Sequence, residues 1–294
     1  LQDRKEIFSV FTFIIVICSV CALILATLAT ILLPLQKQAA EEDLGAQMLI
    51  SAKILSHKGH FQVQTDSGAF IPAEYDTQKD ILVASNKSEK ASSSDILKIF
   101  ENRIKPMLVD DDGNLFTFEE KDINYSQYLN ENEKNGFARL KLKLIYEIYS
   151  NTSEEKEVIG YVIPINGFGL WGPLYGYLAI ESDGKTVIGT TWYDQVETAG
   201  LGAEIAATEW QDQFYQKTIF LKSQDGTIDY ESSPIGIEVV KGKVIEIYGD
   251  SHRASNAVDG VSGATITSKG VMNAYRKSLE PYRPFLVKLE TGEQ

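Results

Sequence analysis

The hydrophobic positions of this chain fall into two regimes. From Ile7 to Leu35 they run almost unbroken, "IFSVFTFIIVICSVCALILATLATILLPL", and no charged residue interrupts them. A bilayer core takes roughly 20 apolar residues, so the run predicts a transmembrane helix over 7–35 behind a stub at 1–6. A cleaved signal peptide fits less well, because the run is long and no small-x-small site leads to a mature start. The next stretch, 36–60, keeps good helix formers, and Leu44, Met48, Leu49 and Leu55 can form an apolar stripe. It predicts a helical stem, with Gly45 costing about 1 kcal/mol relative to alanine. Around His57 the pattern changes to short strands and turns, which open a domain over 61–294.

Within that domain, residues from about 76 to 151 are rich in Lys, Asp, Glu, Asn and Ser. They hold an amphipathic piece at Asp95–Met107 and a strand-like "RLKLKLIYEIY", and they read as a peripheral insertion or subdomain. From Val158 the alternation is that of strands: "VIGYVIPI", "YGYLAI", a turn at Asp183–Gly184, then "TVIGTTWYDQ". "IGIEVV" and "KVIEIY" alternate on either side of Lys241–Gly242, which predicts a hairpin with a two-residue turn. Val271, Tyr275 and Leu279 recur at helical spacing, with Pro281 and Pro284 as stop signals. The class expected is α+β, with antiparallel hairpins and flanking helices, rather than a doubly wound parallel sheet.

Charge narrows the function classes. Acids outnumber bases 41 to 28, a net −13, whereas a nucleic-acid partner demands a basic face. Arg4 and Lys5 precede the apolar run and Lys37 follows it, which by the positive-inside rule puts the N-terminus in the cytoplasm and the large domain outside. With Leu1 in first place rather than Met, further residues are expected ahead of it. Cys18 and Cys21 both fall inside the apolar run, where a thiolate is not formed, so they read as small packing residues. The remainder therefore has no cysteine for a disulfide, thiol catalysis or metal binding.

Other chemistry fails on spacing. "VDDDGNLFTFEE" places Gly113 fourth from Asp110, not sixth as a calcium loop requires. His57 and His60 form a pair without the third and fourth ligands of a zinc site. His252 has a serine nearby but no orienting group for a triad. Asn86, Asn124 and Asn151 each open an N-x-S sequon, a match short enough to arise by chance.

Three stretches remain. "NGFGLWGPLYGY", Asn166 to Tyr177, interleaves glycines with Phe168, Trp171, Tyr175 and Tyr177. Glycines let a backbone approach a planar ligand and an aromatic can pack on its ring; the alternative is a glycine-bent hairpin whose Trp caps the core. "ETAGLGAEI", Glu197 to Ile205, is a second glycine-rich loop without the dinucleotide fingerprint. "DGVSGATITS", Asp259 to Ser268, offers Thr267 or Ser268 as a helix cap. It also offers an accessible hydroxyl, which lacks an adjacent base and so cannot activate itself.

Asp259-Gly260-Val261-Ser262-Gly263-Ala264-Thr265 matches the signature D-G-x-S/T-G-A-T, and "GLWGPLYGYLAI" and "ETAGLGAEI" match two further blocks in order. In these residues the chain resembles the C subunits of the sodium-translocating NADH:quinone oxidoreductase (Nqr) and, more distantly, the G subunits of the Rnf electron-transport complex. The resemblance implies a single-pass inner-membrane protein with an extracytoplasmic FMN-binding domain. FMN would be joined through its phosphate to a threonine hydroxyl by a separate flavin transferase. The matching acceptor is Thr265, in the loop of Ser262, Gly263 and Ala264, with Thr267 as the competing hydroxyl. Asp259 and Gly260 would serve recognition by the transferase, and Trp171, Glu197, Thr198 and Leu201 would line the flavin. Ala199 stands where the family usually has proline. The implied role is an electron carrier, not catalytic alone, relaying electrons from NADH toward ubiquinone among the other subunits of a sodium-pumping complex. An Rnf-type protein and a non-redox ligand-binding or adapter domain are the alternatives.

Overall fold

A computed structural model describes residues 2–65, 67–152, 156–223 and 225–292. The chain divides into two compact units, Leu1–Leu44 and Gly45–Gln294. The first is built on helix α1 (Gln2–Ser51), whose Val10–Leu33 segment has a mean hydropathy of 2.8 over 24 residues. That is long and apolar enough to cross a membrane. Thr12, Thr27 and Thr30 donate their hydroxyls to the carbonyls of Phe8, Leu23 and Ala26, each at 2.8 Å, so these polar groups are satisfied inside the helix itself.

The last turns of α1 belong to the second unit, where Met48 and Leu49 are buried. Gly45 has a packing reason to be there: a Cβ at this position would lie 3.2 Å from the ring of Phe100. The helix stops at Ser51 rather than running through the expected stem to 60. Lys53 turns the chain with φ of 55°, and Leu55, off the helix but buried, forms a bridge to Phe61.

Strands β1 (Gln62–Gln64), β2 (Phe70–Asp76) and β3 (Ile81–Ala84) form a small antiparallel sheet. Helix α2 (Ser93–Arg103) starts at Ser92, whose hydroxyl accepts from the Asp95 N–H. The amphipathic piece expected at Asp95–Met107 thus splits, its end becoming strand β4 (Ile104–Val109). After β5 (Leu115–Phe116) and helix α3 (Tyr125–Asn132) come β6 (Lys143–Tyr149), β7 (Val158–Phe168), β8 (Pro173–Glu181) and β9 (Val187–Asp194). These strands make one antiparallel sheet in the order β5-β4-β6-β7-β8-β9. The stretch read as peripheral therefore supplies three of six strands, and Val109, Ala138 and Ile145 lie in the main core. Its polar composition reflects the loops between strands, not detachment from the sheet.

Helix α4 (Thr208–Gln211) follows β9, and the chain then reaches β10 (Glu238–Val239). The hairpin expected around Lys241–Gly242 is absent. "KVIEIY" supplies helix α5 (Val244–Tyr248), and β10 pairs in parallel with β11 (Ala257–Val258) instead. Alternation of β-branched residues suggested a strand, but the ladder partner for 238–239 comes from farther along the chain and leaves Ile245 and Ile247 exposed. Helix α6 (Thr265–Leu279) packs on the sheet through Val271, Ala274, Tyr275 and Leu279. Pro281 lies just beyond its end, whereas Pro284 sits in the first turn of helix α7 (Arg283–Thr291) and so opens a helix rather than stopping one.

Candidate functional site

The three stretches singled out in the sequence converge at the start of α6. The β7–β8 hairpin closes with the Gly169 N–H donating to the Gly172 carbonyl at 2.8 Å, and Trp171 stands at its tip, 64% exposed. A core-capping Trp is thereby ruled out. The indole N–H donates to the Thr198 hydroxyl at 3.1 Å, and the Trp171 backbone N–H donates to Glu197 Oε1 at 2.9 Å. Glu197 is only 8% exposed, and its second oxygen accepts from the Thr267 hydroxyl. Burial raises the pKa of this carboxyl, but hydrogen bonds from Thr267 and from the backbone N–H groups of Trp171, Leu170 and Gly172 outweigh it and hold the group below the ordinary glutamate range. One carboxylate thus fastens the hairpin tip to the first turn of α6. Gly202 allows the pair to meet, because a Cβ there would lie 2.6 Å from Thr267 Oγ1 and 2.7 Å from Glu197 Oε2.

The hydroxyls of the third stretch divide sharply. Thr265 is the first residue of α6 and is exposed, as are Ser262 and Gly263 before it, while Ala264 is buried. Thr267 is 1% exposed and engaged by Glu197; Ser268 is buried, and its hydroxyl accepts from the Val261 N–H at 3.3 Å. Neither residue occupies the cap position expected of it. Ala264 does, without a side-chain acceptor, and Thr267 and Ser268 lie one turn inside the helix.

Thr265 lines two clefts. One, of about 270 Å³, has walls of Leu170, Trp171, Leu201 and Ile266 with Thr198 as a polar group. The other, of about 710 Å³, carries Lys241, Lys243 and Lys269 along with Glu246, Asp259, Gly260 and Ser262. Phe168, one of the interleaved aromatics, is exposed here, and Leu170, Val196 and Ile266 are exposed apolar residues of this region that the sequence reading gave no role. Their signal was available only as hydrophobic side chains in segments already assigned to turns. Among the described residues no group of three or more His, Cys, Asp and Glu side chains is placed to hold a metal ion, and the Asp110 carboxylate closes its own loop by accepting from the Asp112 and Asn114 N–H groups.

Residues 169–280 match the FMN-binding domain family, a span that contains the smaller cleft and the convergent parts of all three stretches. Over 291 residues the chain is 40% identical to the C subunit of the Na(+)-translocating NADH-quinone reductase of Chlamydia caviae, covering 95% of this chain and 91% of the relative. The chain belongs to the NqrC family, the C subunits of this reductase. Membership extends to more distant sequences: the Yersinia pestis C subunit is 34% identical over 229 residues, 74% of this chain and 80% of its own. Among solved structures, NqrC of Parabacteroides distasonis superposes with a TM-score of 0.52 at 27% identity, covering 86% of this chain and 95% of that one. Shewanella oneidensis NqrC gives 0.51 at 25% identity, covering 68% and 90%. The α+β class with one apolar N-terminal helix is thus that of NqrC, a component of a multisubunit reductase. The Rnf-type alternative yields to these likenesses. An FMN-binding domain in one subunit of an NADH-quinone reductase is consistent with electron transfer.

Proposed function

We propose that this NqrC chain holds FMN covalently, through its phosphate, on Thr265, and relays electrons from the NADH side of the complex toward ubiquinone. The observation that carries the choice of residue is the contrast between the two threonines. Thr265 presents an exposed hydroxyl where the two clefts meet, whereas Thr267 is buried and its hydroxyl is bound to Glu197.

The residues around Thr265 fit FMN. The smaller cleft offers apolar walls and an exposed indole for a flat aromatic ring, and the larger offers lysines and hydroxyls for the ribityl phosphate end. FMN, when bound, supplies reversible electron uptake at its ring, and the protein supplies its position and surroundings. Trp171, its N–H held by Thr198, orients a ring face; Leu170, Leu201 and Ile266 exclude water. Lys269, four residues after Thr265 and so on the same side of α6, places a positive charge in the cleft beside the attachment point.

Attachment calls for a separate flavin transferase. Of the three carboxylates that line these clefts, Glu197 accepts from Thr267 and Trp171 and Asp259 accepts from the Val244 N–H, so these two are engaged and poorly placed to serve Thr265 as a base; the third, Glu246, lies on α5 in the wall of the larger cleft. In the attachment, the Thr265 oxygen displaces the nucleotide half of a flavin dinucleotide. A P–O bond to threonine forms, the anhydride P–O bond breaks, a nucleoside monophosphate leaves, and the hydroxyl proton passes to the transferase. The excess of Arg and Lys before the apolar helix supports an extracytoplasmic location for the domain. The experiment is to co-express the chain with a flavin transferase, denature it, and measure the tryptic peptide that ends at Lys269. It should carry the mass of FMN less water and fluoresce as flavin. Thr265→Ala should lose both; an adduct that persists there refutes the assignment.

A further inference from the structure

Asp259 opens the acceptor signature, and an exposed acid would be expected if a transferase read it directly. The structure gives it other work. Its N–H donates to Gln213 Oε1 at 2.9 Å, its carbonyl accepts from the Trp210 indole N–H at 2.8 Å, and its carboxylate Oδ1 accepts from the Val244 N–H at 2.7 Å. Backbone and side chain are all engaged inside the protein. The neighbouring Gly260 continues the pattern: its N–H donates to the Gly242 carbonyl at 2.9 Å, and a Cβ there would fall 2.1 Å from the Val240 carbonyl oxygen. On the other side, the Val258 carbonyl accepts from the Val240 N–H at 3.0 Å. Residues 258–260 are therefore stitched to two separate segments, 210–213 and 240–244. After them the chain leaves this seam, exposes Ser262 and Gly263, and reaches Thr265.

We infer that Asp259 and Gly260 are positioning residues: they fix the start of the acceptor turn so that Thr265 projects from it, and the transferase meets Ser262, Gly263 and Thr265 instead. This rests on Thr265 being the flavin acceptor. An anchor missing at Asp259 lets the turn sample other shapes, and the rate of modification falls in proportion to the fraction of time spent in the competent one.

Three variants of the full chain separate positioning from direct reading: Asp259→Asn, Asp259→Ala and Val244→Pro. Asparagine keeps an oxygen that accepts from Val244 but loses the charge. Proline at 244 removes the N–H that Asp259 binds while leaving Asp259 itself untouched. Position 244 is the first residue of α5, where proline fits a helix, and Lys243 before it is already extended, with φ −102° and ψ 139°. Each purified variant is incubated in detergent with a flavin transferase and flavin adenine dinucleotide. The initial rate of adduct formation on the peptide ending at Lys269 is followed by mass spectrometry, and a thermal melt checks the fold.

Positioning predicts Asp259→Asn within about threefold of the wild type, and Asp259→Ala and Val244→Pro each slower by about tenfold or more. Asp259→Asn as slow as Asp259→Ala, or Val244→Pro at the wild-type rate, overturns the inference. Should Val244→Pro melt, Trp210→Phe removes the indole N–H that donates to the Asp259 carbonyl, from a buried position the transferase does not reach, and a wild-type rate there overturns it equally. Loss of the adduct from the unaltered chain would instead refute Thr265 as acceptor, so the two failures are distinct.

Discussion

Replacing Thr267 by valine tests the joint between the hairpin and α6. Valine matches threonine in shape, so the change removes one hydroxyl and little volume. In the wild type that hydroxyl belongs to a residue 1% exposed and donates to Glu197, a carboxylate 8% exposed. Hydrogen bonds to charged groups contribute about 1.5–3 kcal/mol, and a buried carboxylate oxygen is left short of a donor when one is removed. The expected loss is about 2 kcal/mol, which for a domain of this size lowers Tm by about 4–8 °C. Urea unfolding of the detergent-solubilised chain measures it.

The pH dependence adds a second readout. The Glu197 carboxyl is held below its ordinary value of 4.5, so its stabilisation is complete above that value and is lost as pH falls through the folded-state pKa. Without the Thr267 donor the folded-state pKa rises, and the stability gap between wild type and variant should narrow below about pH 4.5. Flavin should remain on the variant, because Thr265 is untouched. Equal stability of the two proteins at pH 7, or loss of the flavin from Thr267→Val with its retention in Thr265→Ala, would refute the reasoning.

Three further expectations follow from individual contacts. Trp171→Ala should cost less than about 0.5 kcal/mol, because the side chain is 64% exposed, yet it should brighten the fluorescence of the attached flavin; unchanged emission argues against an indole on the ring. Gly45→Ala should gain about 1 kcal/mol of helix stability only once Phe100 is truncated to alanine, and a double-mutant cycle on urea midpoints detects this coupling. Tyr275→Phe removes a buried hydroxyl shared with Thr190 Oγ1 at 2.8 Å and with the Trp192 indole N–H at 3.1 Å, and should cost about 1–3 kcal/mol in urea unfolding at unchanged flavin content.

Where local pattern and final pairing agree, the structure was legible in advance. Strands β7, β8 and β9 each pair with a neighbour adjacent in sequence, so their alternation and turns were enough to find them. The apolar helix needed only its composition. The strand expected at 244–248 does not form because the partner of β10 lies at 257–258, a choice that local alternation does not record. The polar stretch before β6 was misplaced for a related reason: its long loops dominate the composition, while the short strands that enter the core contribute few residues. At the candidate site, the signature matched Thr265 and left Thr267 as a competing hydroxyl, without the physical difference between their surroundings. Burial separates them, and burial depends on Glu197, 70 residues away in sequence. The double engagement of Asp259 by Trp210 and Val244 was equally invisible, since nothing in a motif marks which of its members face inward.

The acceptor turn takes its shape from groups 15, 46, 49 and 70 residues distant along the chain. Contacts of such separation form late, after the loops that bring them together have closed. A nascent or misfolded polypeptide contains the same signature but not the geometry that presents its threonine. On the attachment proposed above, biosynthesis acquires an order: the domain folds first, and the prosthetic group is added to the finished surface. Under that order, flavin on Thr265 would be a certificate that the domain around it had folded.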